Sequence, residues 1–359
     1  MGLDAQGRFL RIADGTDRSA FGAAARVALL PFSLGYGTAM AFRDALYRSG
    51  VAHAVRARRP VISVGNITVG GTGKTPMVAY LAGLLRGEGL KPAILMRGYR
   101  PLGASGMGDE AAALQAALPD VPVFCNRNRA AAAKEAVSSA GANVLLLDDG
   151  FQHRRLGRDL DVVTVDALCP FGGGRLLPAG LLRESPSALR RADVVVLTRT
   201  DEVEGDVLEE VEGEVRRLAP EAVPARSVHR ATRVFFAEEN RLGDVAELSG
   251  RKVAAFCGIG RPESFRRTLE GLCGEVVLFR EFPDHHVYGE EELRSLGWEG
   301  GKMGAELIVT TEKDYARLRG IQGLGLPPAV IGIELAVTSG EDELRRLVVR
   351  AARGGMGEG

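Results

Sequence analysis

Gly70, Gly71 and Gly73 crowd a turn that is followed at once by Lys74 and Thr75. The β-branched run Val61 to Val64 precedes the turn, and a stretch of helical character follows it. A glycine-rich turn between strand and helix lets backbone N–H groups converge on an anion. The lysine then reaches β- and γ-phosphates, the threonine hydroxyl can ligate Mg²⁺, and the helix N-terminus adds a favourable dipole. The usual phosphate-loop pattern, G-x-x-x-x-G-K-[ST], wants glycine at position 68, where this chain carries Thr68. The last glycine, the lysine and the threonine all stand. Thr68, Gly70, Gly71, Thr72, Gly73, Lys74 and Thr75 are therefore the candidate nucleotide-binding residues. Downstream, the apolar run Val144 to Leu147 ends in Asp148-Asp149. Carboxylates at the end of a buried strand hold Mg²⁺ directly or through water. A helix cap is the other reading of that pair. With a phosphate loop upstream the metal is favoured, with Thr75, Asp148 and Asp149 as its ligands.

Such groups need a sheet to position them. Pro92 to Met96, Asn143 to Leu147, Asp161 to Asp166 and Ala192 to Thr198 are short apolar runs, separated by helical stretches such as Ala130 to Ser139. Continuous apolar strands alternating with helices predict a parallel sheet covered on both faces, of the P-loop NTPase-like α/β class. Functional groups in such sheets gather at the C-terminal ends of the strands. The phosphate loop, Arg97-Gly98-Tyr99, Asp148-Asp149 and Thr198 all fall there. Thr198-Arg199-Thr200-Asp201 is like the base-reading [NT]-K-x-D loop of GTPases with arginine for lysine. Arginine can stack on any purine face; a plain surface turn is the alternative.

A second, smaller α/β domain follows. Lys252 to Gly260 reads as a strand and glycine turn, Arg261 to Leu272 as a helix, and Val276 to Phe279 and Leu307 to Thr311 as strands. The turn Gly258-Ile259-Gly260 lacks the third glycine and the acid of a dinucleotide fingerprint. The expected organisation is an N-terminal segment 1–50, a nucleotide-binding domain 51–235, a smaller domain 236–328, and a return strand and helix, 329–359, that packs on the first domain.

The 359 residues are 45% hydrophobic and 26% charged, the balance of a folded protein, and the formal net charge is zero. No global field draws the chain to nucleic acid, and no obligate protein partner is evident. Cys125, Cys169, Cys257 and Cys273 form no C-x-x-C pair. That argues against a zinc site or a disulfide framework. Between Arg26 and Arg43 lies an uncharged, mostly apolar stretch of 16 residues containing Pro31, Gly35 and Gly37. It is shorter than the roughly 20 residues a bilayer span needs. Arg43, Arg48, Arg56, Arg58 and Arg59 crowd its C-terminal side. An apolar body with aromatic residues Phe32, Tyr36, Phe42 and Tyr47 and a basic flank suits a helix lying in the headgroup region of an anionic membrane. A helix packed on the protein's own core is the other reading of these residues.

Several blocks occur in one order: Val64 to Pro76, Arg97-Gly98-Tyr99, Gly108-Asp109-Glu110, Asp148-Asp149-Gly150-Phe151-Gln152-His153, Gly174 to Gly180, Asp284-His285 and Thr311-Glu312-Lys313-Asp314. The set resembles the tetraacyldisaccharide 4′-kinase family, the lipid A 4′-kinases of Gram-negative bacteria, from about Leu29 to Leu318. The resemblance implies transfer of the γ-phosphoryl group of ATP, with Mg²⁺, to the 4′-hydroxyl of a tetraacylated glucosamine disaccharide 1-phosphate. It implies Lys74 on the transferring phosphate, Asp109 as base and His285 as its assistant; an imidazole can orient a carboxylate and share its proton. Because His285 falls in the second domain, the pair would form across a cleft between domains. Arg97, Gln152, His153, Arg175 and Glu184 lie in matching segments and are candidate substrate contacts, with Arg183 beside them. Glu184 is open to Mg²⁺, to a sugar hydroxyl or to pairing with the neighbours of Arg183, and Gln152 and His153 equally to packing. The N-terminal stretch resembles the family's membrane-associating helix. That implies a monotopic enzyme on the cytoplasmic face of the inner membrane, among the membrane's lipids.

One rival is a membrane-surface P-loop ATPase or GTPase switch that phosphorylates no lipid. Such ATPases carry a signature lysine just before the glycine pair, where this chain has Val69. The Thr198 to Asp201 loop is the GTPase's only support.

Overall fold

In a computed structural model, residues 5–98, 109–283, 286–318 and 323–354 are described, Asp109 by its backbone alone. Tyr99, Gly108, Asp284 and His285, named above, lie outside them. The chain divides into two compact units, 1–228 with 335–359, and 229–334. The division falls inside two long strands, so neither strand belongs to one unit alone.

The first unit opens with α1 (Ala5–Ala13) and α2 (Ala20–Arg48). It continues through β1 (Val61–Gly65), α3 (Lys74–Gly87), β2 (Pro92–Met96), α4 (Asp109–Ala117), β3 (Val123–Cys125), α5 (Arg129–Ala140), β4 (Val144–Asp148), β5 (Leu160–Asp166), β6 (Val194–Thr198), α6 (Gly205–Leu218) and β7 (Val223–Phe236). Its strands lie in the order β7-β6-β5-β1-β4-β2-β3, and neighbouring strands pair in parallel. Every residue of β1, β2, β4, β5 and β6 is buried. That is why β2, β4 and β6 read as near-continuous apolar runs, while β1 and β5 also bury Ser63, Asp161, Thr164 and Asp166: helices cover both faces. Ile62 and Val64 pack with Met77, Leu81 and Leu85 of α3 on one face. Val61, Leu145 and Leu147 pack with Ala132 and Ala136 of α5 on the other.

The second unit holds β8 (Arg241–Gly243), β9 (Lys252–Cys257), α7 (Pro262–Leu272), β10 (Glu275–Glu281), α8 (Glu290–Lys302), β11 (Leu307–Thr311), α9 (Glu312–Tyr315) and the first part of β12 (Pro328–Ser339). Its order β10-β9-β11-β12 is again parallel. The closing helix α10 (Glu341–Gly354) returns to the first unit, where Leu344, Val348 and Ala352 are buried beside Leu81 and Leu85.

Helix α2 is built inside out. Ser19 caps it, its hydroxyl accepting from the N–H of Gly22 at 3.0 Å, and the helix runs on through an exposed Pro31. Polar groups face the protein: the Ser33 hydroxyl donates to the carbonyl of Leu176 at 2.9 Å and accepts from the N–H of Ala179 at 2.9 Å. Large apolar groups face away. Phe21 is 74% exposed, Val27 65%, Phe32 67%, Leu34 73% and Phe42 66%. Tyr36, Arg43 and Tyr47 do not join that face as the sequence suggested. Tyr36 and Arg43 bond to residues 183 and 184, and Arg154 lies over the Tyr47 ring. Side-chain type cannot tell the two faces apart; only the partners can. Among the described residues no helix is long and apolar enough to cross a membrane.

The Asp148-Asp149 turn passes close against β1. A Cβ on Gly150 would stand 2.5 Å from the Ser63 hydroxyl and 2.8 Å from the Leu147 side chain. Gly150→Ala should lower the stability of the first unit by about 1–3 kcal/mol through overpacking, read as a shifted urea midpoint.

Candidate active site

The loop after β1 is held from behind and open in front. Gly73, in the left-handed region at φ 84°, caps α3, and Gly70 takes φ 117°. Side chains adopt these angles at a cost, so glycine suits both positions. Gly70 and Gly71 are exposed at the crest, and Lys74 and Thr75 are half-buried at the first turn of α3. The first N–H groups of a helix have no partner within it, which leaves them for an anion. Pro76 has no N–H, and a first-turn position tolerates that.

Behind the crest, hydroxyls link in a chain. Asn66 Nδ2 donates to Thr72 Oγ1 at 3.0 Å, and Thr72 Oγ1 meets Thr164 Oγ1 at 2.9 Å. Thr164 spends its own proton on the Gly65 carbonyl at 3.2 Å, so Thr72 is the donor to it. Thr198 Oγ1 donates to the Thr72 carbonyl at 3.1 Å. Arg199 donates to the Gly71 carbonyl and forms an ion pair with Asp166 at 2.8 Å, its side chain only 8% exposed. This corrects two expectations. Arg199 is neither a base-reading group nor a plain surface turn, because its guanidinium is committed to the back of the phosphate loop. Thr68 and Thr72 lie in the loop as expected but bind through no exposed hydroxyl. Both are 4% exposed, and Thr68 is bridged by its backbone to Leu182. A buried, bridged position explains why the missing glycine at 68 is tolerated.

Asp149 stands at the centre of the site. Arg183 Nη1 donates to its two carboxylate oxygens at 2.8 and 2.9 Å, and Lys74 Nζ lies 3.7 Å away. Burial alone would raise its pKa, but Lys74, Arg183 and the Arg183 hydrogen bonds outweigh burial and hold the carboxyl below its ordinary value. Asp148 is 5% exposed at the end of β4. Among the described residues no group of three His, Cys, Asp or Glu side chains could hold a metal unaided. A hydroxyl at Thr75 and carboxylates at Asp148 and Asp149 suit a hard cation that takes its other oxygens from phosphate and water.

The remaining candidates separate. Gln152 Nε2 donates to the Asn66 carbonyl at 2.7 Å and so supports the loop. His153 is half-buried; burial, then Arg129, Arg158, Arg155 and Arg97, lower its pKa to about 4. Arg97 and Arg175 are exposed. Glu184 is 4% exposed, and each of its oxygens is taken by an arginine, Arg43 at 2.8 Å and Arg191 at 2.7 Å. Of its three readings the structure shows the pairing: the two bonds clasp Glu184 to α2 and to Arg191. Arg129 was missed. It begins α5, is 3% exposed, and lies within electrostatic reach of Asp148 and Asp149. Its place after β3, at the C-terminal side of the sheet, was the available signal.

A family model of tetraacyldisaccharide-1-P 4′-kinases (LpxK) matches residues 25–352. The chain belongs to the tetraacyldisaccharide 4′-kinase family. A relative so named from Anaeromyxobacter dehalogenans is 45% identical over 312 residues, 83% of this chain and 82% of that protein. One from Syntrophus aciditrophicus is 38% identical over 343 residues, 89% of this chain and 91% of the other. The crystal structure of LpxK from Aquifex aeolicus in complex with ATP superimposes with a TM-score of 0.71 at 31% identity, covering 91% of this chain and 99% of that one. The 4′-kinase family covers both units, so the second unit is part of the enzyme rather than an appended module.

Two tests follow from this geometry. Arg199→Ala should weaken ATP binding about 10-fold or more, since it releases the Gly71 carbonyl and leaves Asp166 buried without its cation; isothermal titration reads it. His153 binds its proton less readily folded than unfolded. Stability should therefore fall as pH drops from about 6.5 towards 4 and then level off, and His153→Gln should flatten that slope in urea unfolding.

Proposed function

We propose that this chain transfers the γ-phosphoryl group of ATP to the 4′-hydroxyl of a tetraacylated glucosamine disaccharide 1-phosphate, a step of lipid A biosynthesis. The observation that carries the reading is a phosphate loop with Lys74 set against the Arg183-bound Asp149, in a chain whose residues 25–352 match this family.

The nucleotide's phosphates would lie over Gly70 to Gly73, where the exposed crest and the first N–H groups of α3 receive them. Lys74 neutralises charge on the transferring group. Asp149 and Arg183 fix where that lysine points. Thr75, Asp148 and Asp149 would hold Mg²⁺, which would supply charge neutralisation to the nucleotide's phosphates. Asp109 is assigned as base on the family resemblance, with His285 sharing its proton. The 4′-hydroxyl gives its proton to Asp109, its oxygen bonds to the γ-phosphorus, the bond from that phosphorus to the bridging oxygen breaks, and ADP leaves. Arg97, Arg175 and the neutral His153, with Arg129 nearby, would meet phosphate or sugar oxygens of the acceptor.

The acceptor's acyl chains do not leave a bilayer cheaply, since each buried CH₂ is worth roughly 0.8 kcal/mol. The enzyme must come to them. The outward face of α2, with Phe21, Val27, Phe32, Leu34 and Phe42, suits burial in the headgroup region, with the exposed Arg48, Arg56, Arg58 and Arg59 near anionic headgroups. Arg43 is committed to Glu184 and leaves that basic group. Since ATP is cytosolic, the cytoplasmic face of the inner membrane is the proposed location, without a crossing.

Incubation with labelled ATP, Mg²⁺ and lipid disaccharide in detergent, followed by chromatography, should give a labelled phospholipid product; ADP without labelled lipid would favour an ATPase switch. Lys74→Ala and Asp109→Ala should each cost about 10²–10⁴-fold in rate. Asp109→Ala should retain ATP binding, and loss of that binding would overturn its assignment as base. Deleting residues 5–48 together with their apolar face should move the protein from vesicles to the supernatant in co-sedimentation.

A further inference from the structure

Residues 181–184 lie between the inward face of α2 and the phosphate loop. On the loop side, the N–H of Val69 donates to the Leu181 carbonyl at 2.7 Å, and the N–H of Arg183 donates to the Ile67 carbonyl at 2.7 Å. The Arg183 guanidinium holds Asp149, 3.7 Å from Lys74. On the helix side, the Tyr36 hydroxyl donates to the Arg183 carbonyl at 2.9 Å, and Arg43 Nη2 donates to Glu184 Oε1 at 2.8 Å. The other oxygen of Glu184 accepts from Arg191, whose guanidinium sits 4.3 Å from the centre of the Phe151 ring, two residues beyond Asp149. One short segment thus carries bonds to the helix, to the loop and to the carboxylate beside the lysine.

We propose that Tyr36 and Arg43 are positioning residues for phosphoryl transfer: they fix residues 181–184, and through them Arg183, Asp149 and the phosphate loop, relative to a helix whose opposite face rests on the lipid surface. The proposal rests on the kinase reading and on the docking of α2 given above. Its physical basis is the separation of the two faces. Tyr36 and Arg43 stand seven residues apart on the inward side, while Leu34 and Phe42 are turned outward. Substitution on one side leaves the other side's chemistry in place. The Tyr36 phenol is a donor at physiological pH, and burial raises its pKa further. Small displacements of reacting groups cost rate steeply, so a loosened segment should be felt at Lys74 without any contact to ligand being removed.

The test compares Tyr36→Phe, Arg43→Gln, Arg43→Lys and Leu34→Ser with the wild-type chain. Each is measured for partition onto phosphatidylethanolamine–phosphatidylglycerol vesicles, for kcat and KM towards the lipid disaccharide in mixed micelles, and for thermal unfolding. Tyr36→Phe and Arg43→Gln should lower kcat about 10-fold, with vesicle partition and acceptor KM within twofold of wild type. Arg43→Lys should recover part of the loss. Leu34→Ser should reduce partition. If Tyr36→Phe keeps kcat within twofold, or loses it only in proportion to partition or to folded fraction, the positioning role is overturned. No labelled lipid from the wild-type chain would instead overturn the kinase reading, and unchanged partition in Leu34→Ser the docking of α2; each failure has its own readout.

Discussion

The Asp149 carboxylate has to stay ionised in a place where burial works against it. Two cations from different parts of the chain make this possible: Lys74 at the head of α3 and Arg183 from the segment before β6. Remove either charge and burial weighs more heavily against the ionised carboxylate. The requirement reaches outward. Arg183 can serve only if its own backbone is fixed, and it is fixed by Ile67 on one side and Tyr36 on the other. Lys74 can serve only if α3 begins where it does, which needs Gly73 in the left-handed region and the loop behind it braced by Thr198 and Arg199. Asp149 itself takes a positive φ of 52°, a strained angle for a non-glycine residue, and Gly150 follows it into a space that admits no Cβ.

This dependence also explains what could be read from the sequence. Strands β1, β2, β4, β5 and β6 were legible because each is buried on both faces, and burial on both faces writes a mostly apolar run. Strand β3, Val123-Phe124-Cys125, is apolar but only three residues long, too short for a run to be told from a loop. The phosphate loop and Asp148-Asp149 were legible because their chemistry is local in sequence. Arg199 was not. Its residue type fits a base-reading loop, but its partners are Asp166 and the Gly71 carbonyl, far away in the chain. For Glu184 the sequence left metal, sugar and ion pairing open for the same reason: only the fold brings Arg43 and Arg191 to its two oxygens. Asp109 and His285 entered through family resemblance rather than through any pattern of their own.

Helix α2 shows the limit of composition most plainly. Its apolar and aromatic residues were visible, but amphipathicity has no sign until the partner of each face is known. A helix that buried Phe21, Leu34 and Phe42 would be an ordinary core element. Here Ser33, Tyr36, Arg43 and Asp44 take the inward positions and bond to residues 154–191, while the large apolar groups are left outside. In water that arrangement leaves apolar area uncovered, at about 25 cal/mol per Å² relative to burial. A lipid surface removes the cost without any rearrangement of the protein.

On the docking proposed for α2, polar attachment suits a helix that would remain seated while its outer face exchanges water for lipid. A helix held by hydrophobic packing would compete for the same apolar groups that the bilayer is to cover. Hydrogen bonds and ion pairs on the inner face avoid that competition, because lipid offers nothing better to Ser33, Tyr36 or Arg43. They are also directional, so they set the position of residues 181–184 more sharply than an apolar contact would. The same choice appears behind the phosphate loop, where Asn66, Thr72, Thr164, Thr198 and Arg199 fix the backbone by oriented donors while the crest at Gly70 and Gly71 stays bare. In both places the oriented polar bonds lie on the inner side, and the outer surface, the crest at Gly70 and Gly71 or the apolar groups of α2, is left exposed.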